Sequence, residues 1–354
     1  MKISSIATRI LPLSAMLMLI AMHIHAEESE LVQQILVTRN DTIERYTYYY
    51  NTSGQKVMEL KQYRTIDRTD YRNLSRTEWM YDTNGNCTLQ RCERWLGNNE
   101  WSTIFTTTSQ YNDADQLTTQ TTTYTDNSDA TPSVQDTYTY DASGLLTQTD
   151  NQVYNDETSE WNTLQTTTYT YTSAGLTESI TYDGSETDTR ITYQYDADNQ
   201  PICLTYQYDN AGTWENQLRF NNHYDAGNLV FQTVQAWQLD GADLTWVNVQ
   251  NTSFTYTASG LLASQTHQVW AGMFWNNDSR YLYTYNANDQ LLNITYEQAL
   301  YHAWRTISHI DYDYAITPRS EVAYSTYDFW GGEAGDIVAE LREQGYDAVA
   351  ASVS

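Results

Sequence analysis

A tyrosine followed by a short polar turn recurs ten times, and this period constrains the fold more than any other feature of the chain. The anchors are Tyr50 (YNTSGQ), Tyr81 (YDTNGN), Tyr111 (YNDADQ), Tyr140 (YDASGL), Tyr171 (YTSAGL), Tyr195 (YDADNQ), Tyr224 (YDAGNL), Tyr256 (YTASGL), Tyr285 (YNANDQ) and Tyr312 (YDYAIT). Successive anchors lie 24 to 32 residues apart, and the last has lost its turn chemistry. A period of that length means a chain of supersecondary units that bury surface mainly against their neighbours.

Each anchor ends a segment of strict alternation. Tyr46, Tyr48 and Tyr50 share one face, as do Tyr281, Tyr283 and Tyr285, with Thr, Gln or Tyr between. Period two in aromatic and β-branched residues specifies half-exposed strands. The Asp or Asn after the tyrosine can accept a bond from the backbone two residues on. Gly54, Gly85, Gly144, Gly175, Gly227 and Gly260 then supply the left-handed residue of a tight reversal. Asp115, Asn199 and Asp289 replace glycine in three copies, and Asn and Asp are the side chains that best tolerate that conformation.

The second strand leaves the turn through an apolar residue, as at Leu145-Leu146 and Leu261-Leu262, and ends in an aromatic. A variable loop follows, then another aromatic: Tyr63/Tyr71, Trp95/Trp101, Tyr154/Trp161, Tyr208/Trp214, Trp237/Trp246, Trp270/Trp275 and Tyr296/Trp304. Facing aromatics at a hairpin mouth clamp its register. Two strands per repeat predict an all-β fold of roughly twenty antiparallel strands at about 4.8 Å spacing. An open sheet of that width must curl, so the expectation is one long curled sheet: a spiral, shell or ribbon.

The chain divides into residues 1–26, 27–315 and 316–354. In the first, Lys2 and Arg9 precede the apolar run Leu11 to Met22, and Ala26 offers a cleavage point, which predicts a secretory signal peptide and a secreted or cell-surface location. No membrane insertion is expected once it is removed. In the last, Ile316 to Trp330 could add a strand or two, and Asp336 to Ala351 carries helical spacing suited to a cap or tail.

Leu, Ile, Val and Phe together fall below about 20% of the chain, a level typical of disordered sequences. The 31 Tyr and 11 Trp replace that aliphatic core with an aromatic one. Net charge is −27, and loss of Lys2 and Arg9 takes it to about −29. No run of Lys or Arg stands against that charge, which argues against nucleic acid and anionic membranes as partners. Cys87 and Cys92 lie five apart on one strand and face opposite ways, so with Cys203 they imply no disulfide framework.

The core Y-D-x-x-G-x-L, clearest at Tyr81 to Leu89 and Tyr140 to Leu146 and nearly kept at Tyr256 to Leu262, resembles the YD repeat of Rhs-type bacterial surface and toxin proteins. The resemblance covers about residues 40–315. It implies a long β-strip coiled into a hollow shell that encloses a toxin or serves in adhesion. The period here is longer than the usual YD unit, and the family's processing segment is not recognisable.

No nucleophile elbow, zinc-protease helix, P-loop or dinucleotide fingerprint is present, and His223, His267, His302 and His309 lack metal-ligand spacing. Asp113 with Asp115, and Asp196 with Asp198, place oxygen ligands at alternate positions as calcium needs, although turns favour the same residues. Trp270, Phe274, Trp275, Trp237 and Trp246 flank aromatic loops suited to stacking sugars, or they serve only as hairpin clamps. The leading expectation is a non-catalytic secreted or surface protein for adhesion or binding, to a glycan or a cell-surface protein, without a cofactor. The alternatives are a carbohydrate-active enzyme with carboxylates along an aromatic groove and a fragment of a toxin-delivery shell. An outer-membrane barrel is disfavoured because stretches such as TTQTTTYT offer lipid no apolar band.

Overall fold

The computed structural model describes residues 31–39, 41–125, 133–184, 187–240, 243–300 and 303–314. The expected signal peptide, and the tail expected to be strand or helix, lie outside them. Twenty strands follow in order. The first seven are β1 (Val32–Arg39), β2 (Thr42–Tyr50), β3 (Lys56–Thr65), β4 (Arg72–Tyr81), β5 (Cys87–Gly97), β6 (Glu100–Tyr111) and β7 (Leu117–Tyr124). Next come β8 (Val134–Tyr140), β9 (Leu146–Asn155), β10 (Glu160–Thr172), β11 (Gly175–Asp183), β12 (Thr189–Tyr195), β13 (Pro201–Asn210) and β14 (Thr213–Asp225). The last six are β15 (Asn228–Asp240), β16 (Asp243–Tyr256), β17 (Leu262–Trp270), β18 (Trp275–Tyr285), β19 (Leu291–Leu300) and β20 (Ala303–Tyr314).

Each strand pairs antiparallel with its sequence neighbours. The expected open strip is corrected at its ends: β1 also pairs with β20, so the sheet closes into a barrel. The register sets Ile35 opposite Tyr312 and Val37 opposite Ile310. An open sheet would leave those apolar rows on two unpaired edges, and closure removes both. Curvature comes from β-bulges. All nine hairpins with a polar turn have a register shift just before the anchor, as at Tyr49/Tyr50 and Thr284/Tyr285. Seven of the aromatic-ended hairpins carry a second shift, as at Val234/Gln235. Each inserts a residue that bends and twists the strand.

The turn chemistry is as the sequence predicts. Gly54, Gly85, Gly144, Gly175, Gly227 and Gly260 all have positive φ, and so do Asp115, Asn199 and Asp289. Asp82 Oδ1 accepts from the amides of Asn84 and Asn86, and Asn51, Asn112, Asp141, Asp196 and Asn286 do the same in their own turns. A Cβ on Gly144 would meet Gln116 Nε2 at 3.1 Å, an amide that already donates to the Gly144 carbonyl.

The anchors do more than end a strand. Each aromatic-ended hairpin loses its ladder before reaching the polar turns: β17 and β18 last pair at Ser264 and Leu282, short of Leu262 and Tyr285. The tyrosine hydroxyl spans that gap and donates to the carbonyl left without a ladder partner. Tyr285 bonds Leu262 O at 2.8 Å, Tyr256 bonds Leu229 O at 2.8 Å, and Tyr81 bonds Lys56 O at 2.7 Å. Tyr50, Tyr111, Tyr140, Tyr195 and Tyr224 repeat the contact on Val32, Cys87, Leu117, Leu176 and Pro201. Tyr314, not Tyr312, holds the equivalent place beside Leu291. Tyr312 stands two residues earlier, opposite Ile35.

The core is thin, because one layer of sheet has no second layer to bury against. Leu204, Leu218, Phe220 and Val234 form a cluster that Ile191, Tyr193, Tyr206 and Ala236 extend. By register these residues share the face that carries the anchors. Gln265, 1% exposed, and half-buried His267 lie on the same face, linked to each other and to Thr252. Burial raises the tyrosines on this face, Tyr50 and Tyr283 each to about 12, and Tyr193, Tyr256, Tyr285 and Tyr312 in the same direction. Unfolded tyrosine titrates near 10. The folded state therefore holds these protons longer, and their stabilisation is complete below about pH 10 and lost as pH rises toward 12. Denaturant titrations at pH 8, 9 and 11 should show a nearly unchanged midpoint between 8 and 9 and a steep fall at 11.

Candidate functional site

The barrel has two unlike rims. The polar turns form one, joined side to side: Gln55, Gln116 and Gln200 each donate to the glycine carbonyl of the next turn, and Asn84 and Asn86 both donate to Asp115. The aromatic-flanked loops form the other. There Trp95/Trp101, Tyr154/Trp161, Trp237/Trp246 and Trp270/Trp275 meet edge to face, with centroids 4.8–5.2 Å apart and the same 62° between planes. A geometry repeated four times is that of a clamp. The rings of Trp237 and Trp246, and those of Trp270 and Trp275, are thus folded on one another and are not coplanar.

Three of the expected clamps are displaced. Tyr63 stands opposite Arg72, Tyr208 opposite Glu215, and Tyr296 opposite Ser308. At Tyr63 and Tyr208 a one-residue difference in loop length moves the expected partner to the other face, whereas Trp304 stands opposite Ala299. Tyr296 packs against Tyr281 instead.

A second network lies on the face opposite the anchors, and the sequence reading missed it. Arg190 and Arg219 each sit 4.7–4.8 Å over the ring of a tryptophan, Trp214 and Trp246. Their Nε atoms donate to Gln207 and Gln235, whose amides donate on to Asn216 and Asn248. Arg45 does the same with Tyr71, Gln62 and Asn73, and Glu93 and Glu297 take the glutamine's place beneath Arg76 and Arg280. The signal was present. In seven repeats an aromatic stands ten residues before the anchor tyrosine, or before Tyr314 in the last, from Tyr71 to Trp304, with Asn or Thr two residues after it. In five repeats arginine stands five residues before that tyrosine.

Candidates for chemistry fall into structural roles. Asp115 is engaged by Asn84 and Asn86, and Asp196 by the amides of Asp198 and Gln200. Among the described residues no three His, Cys, Asp or Glu side chains converge as a metal site. A shallow cavity of about 350 Å³ beside Asp196, Asp198 and His223 is lined mainly by polar turn atoms. His223 stacks on Phe231, His309 meets Thr295, and burial pushes the His267 pKa down. His302 lies outside the described residues. Glu78, Glu93 and Glu297 are each held by arginine. The three cysteines are unpaired and half-buried.

What the clamps do not absorb is exposed. At the tip between Trp270 and Trp275, Met273 is 89% and Phe274 60% exposed. Leu239 and Leu244 crown the preceding hairpin of this rim, Leu300 the following one, and Ile66 and Leu96 two further along. Closure through β1 and β20 makes these tips one arc.

No family model matches the chain, and no curated protein does. Among solved structures, a porin-like protein from Bacteroides uniformis is 11% identical, with 81% of this chain and 99% of that one covered at a TM-score of 0.36. A Bacteroides fragilis protein of unknown function is 15% identical over 38% of this chain and 95% of its own, at 0.30. The TcdB2-TccC3 structure is 15% identical over 75% of this chain and 19% of that chain, at 0.21. Values this low assign neither family nor activity.

The arginine network carries stability. Glu93 is 8% exposed beneath Arg76. Arg76→Ala would leave that carboxylate only the longer contact to Arg91 at 3.9 Å and should cost about 3 kcal/mol in a denaturant titration. Glu93→Gln, which keeps an acceptor as Gln207 and Gln235 do, should cost much less.

Proposed function

We propose that this is a non-catalytic, extracytoplasmic binding protein built on YD-like repeats, and that it engages a glycan or a cell-surface protein through the rim of aromatic-flanked loops. One observation carries the reading: Met273 and Phe274 stand exposed on a tight loop whose flanking tryptophans already satisfy the hairpin. Gly272, at φ +85°, makes the reversal. Packing asks for no apolar side chain at the tip, and exposing two costs solubility. Apolar side chains crowning one rim in an arc, over rigid clamps, suit contact with a partner. The carboxylates of Glu78, Glu93 and Glu297, paired with arginine, are poorly placed for acid–base work.

The test is an array of glycans and surface proteins probed with the mature chain and with Met273→Ser/Phe274→Ser. Both side chains are exposed, so the variant should melt with the wild type while losing at least about tenfold in affinity for whatever the wild type retains. Binding that survives the double substitution would place the contact elsewhere.

A further inference from the structure

The chain is strongly acidic, yet its positive charge is not spread through it. Residues 39–94 hold ten Lys and Arg against eight Asp and Glu, whereas residues 95–189 hold fifteen Asp and Glu and no Lys or Arg. Much of the basic sector does structural work. Arg45 and Arg76 lie over Tyr71 and Trp101, Lys61 pairs with Glu44, and Arg91 pairs with Glu78. Arg39, Arg68, Arg72 and Arg94 are exposed, and all four lie at the aromatic-loop rim, on three successive hairpins.

The middle hairpin is shaped around a cavity of about 360 Å³ lined by Tyr63, Arg64, Thr65, Asp67, Arg68, Asp70 and Arg72. Its floor is fixed. The Ile66 amide donates to Asp41 O at 2.8 Å, tying the loop to its neighbour, and the Arg68 amide donates to Thr65 O. Arg64 Nη1 donates to Arg68 O at 2.6 Å, and Arg64 and Arg45 both pack on Tyr71. Arg64 is thereby committed, and Arg68 and Arg72 are left presented at the mouth beside Tyr63, which stands opposite Arg72 in register. Three arginines against Asp67 and Asp70 leave the cavity one net positive charge, and Arg39 and Arg94 flank it.

We propose that this hairpin is a subsite for the anionic substituent of an acidic polysaccharide, a carboxylate or a sulfate ester, with Arg68 and Arg72 holding the anion and Tyr63 lying beside the sugar. Guanidinium forks match planar and tetrahedral oxyanions, and charge-assisted bonds of this kind are the strong ones. The remaining carboxylates repel a polyanion at long range, but at physiological salt that field decays over about 8 Å. Local charge therefore decides where an acidic chain settles. The proposal deepens the reading of the rim as a glycan-binding surface and rests on it.

Calorimetry of the mature protein with polygalacturonate, dextran sulfate and neutral dextran at 50 and 200 mM NaCl tests it. The wild type should bind at least one acidic polymer more tightly than dextran, and which one tells carboxylate from sulfate. Arg68→Ala/Arg72→Ala should weaken that binding by about tenfold or more and flatten its salt dependence, with an unchanged melting temperature because both side chains are exposed. Met273→Ser/Phe274→Ser separates the two ideas. If it lowers affinity for dextran and acidic polymers alike, the rim reading holds whatever the arginines do. Equal binding of neutral and acidic polymers, or acidic binding indifferent to loss of both arginines, overturns the subsite. So does sedimentation showing that the arginine variant loses self-association while the wild type binds no acidic polymer, since the basic sector would then serve a second copy.

Discussion

One hydrogen bond recurs around this molecule and the rest leans on it: a tyrosine hydroxyl donating to a carbonyl that the β-ladder leaves unsatisfied. A buried carbonyl without a donor costs free energy comparable to a lost hydrogen bond. Beside the bulges at Tyr50, Tyr81, Tyr111, Tyr140, Tyr195, Tyr224, Tyr256 and Tyr285, which bend the sheet toward closure, such a gap lies on the neighbouring hairpin. The tyrosine fills it with a long, half-buried side chain whose ring packs on the sheet and whose hydroxyl reaches backbone. Curvature and tether are thus two parts of one device, and Tyr314 at Leu291 extends it to the last strand.

The device explains why an aromatic-rich chain with few aliphatic residues folds at all. A single closed layer has two faces, and each is filled differently. Tyrosines with Leu204, Phe220 and their neighbours pack one. The other carries arginines stacked on tryptophans and relayed through Gln and Asn, which satisfy their polar atoms side to side. The ends divide the remaining labour. Asx turns lock the polar rim, and the other rim carries loops whose tips stand exposed.

Much of this was legible in the sequence. Positive φ at Gly85, Asp115 and Asn199 follows from residue chemistry at a fixed distance from tyrosine, and the alternation fixes which side chains share a face. Closure was not legible, because the pairing of Ile35 with Tyr312 joins residues at opposite ends of the chain and no local pattern encodes it. The anchor expected at Tyr312 was misplaced by two residues: Tyr314 holds the equivalent place beside Leu291, and Tyr312 pairs with Ile35. Tyr63 and Tyr71 looked like a clamp, yet pairing is decided to within one residue, and the longer loop sets Arg72 in the facing place. The arginine relay could have been read from its constant distance to the anchor, but only after the anchor had been placed correctly. The exposed tip at Met273 and Phe274 was visible as an apolar pair without a packing role.

The account stands on the closed ring. Thr38 and His309 face each other across the β1–β20 seam. Cysteines at those two positions, in a chain with Cys87, Cys92 and Cys203 changed to serine, measure closure directly. Neighbouring strands lie about 4.8 Å apart, so mild oxidation or a short thiol crosslinker should join the pair within one molecule in nearly full yield, as mass spectrometry of the digested protein would show. A pair that stays unlinked while a control within one hairpin, Thr38 with Ile43, links readily would mean that the ends of the sheet are apart and that the barrel is open.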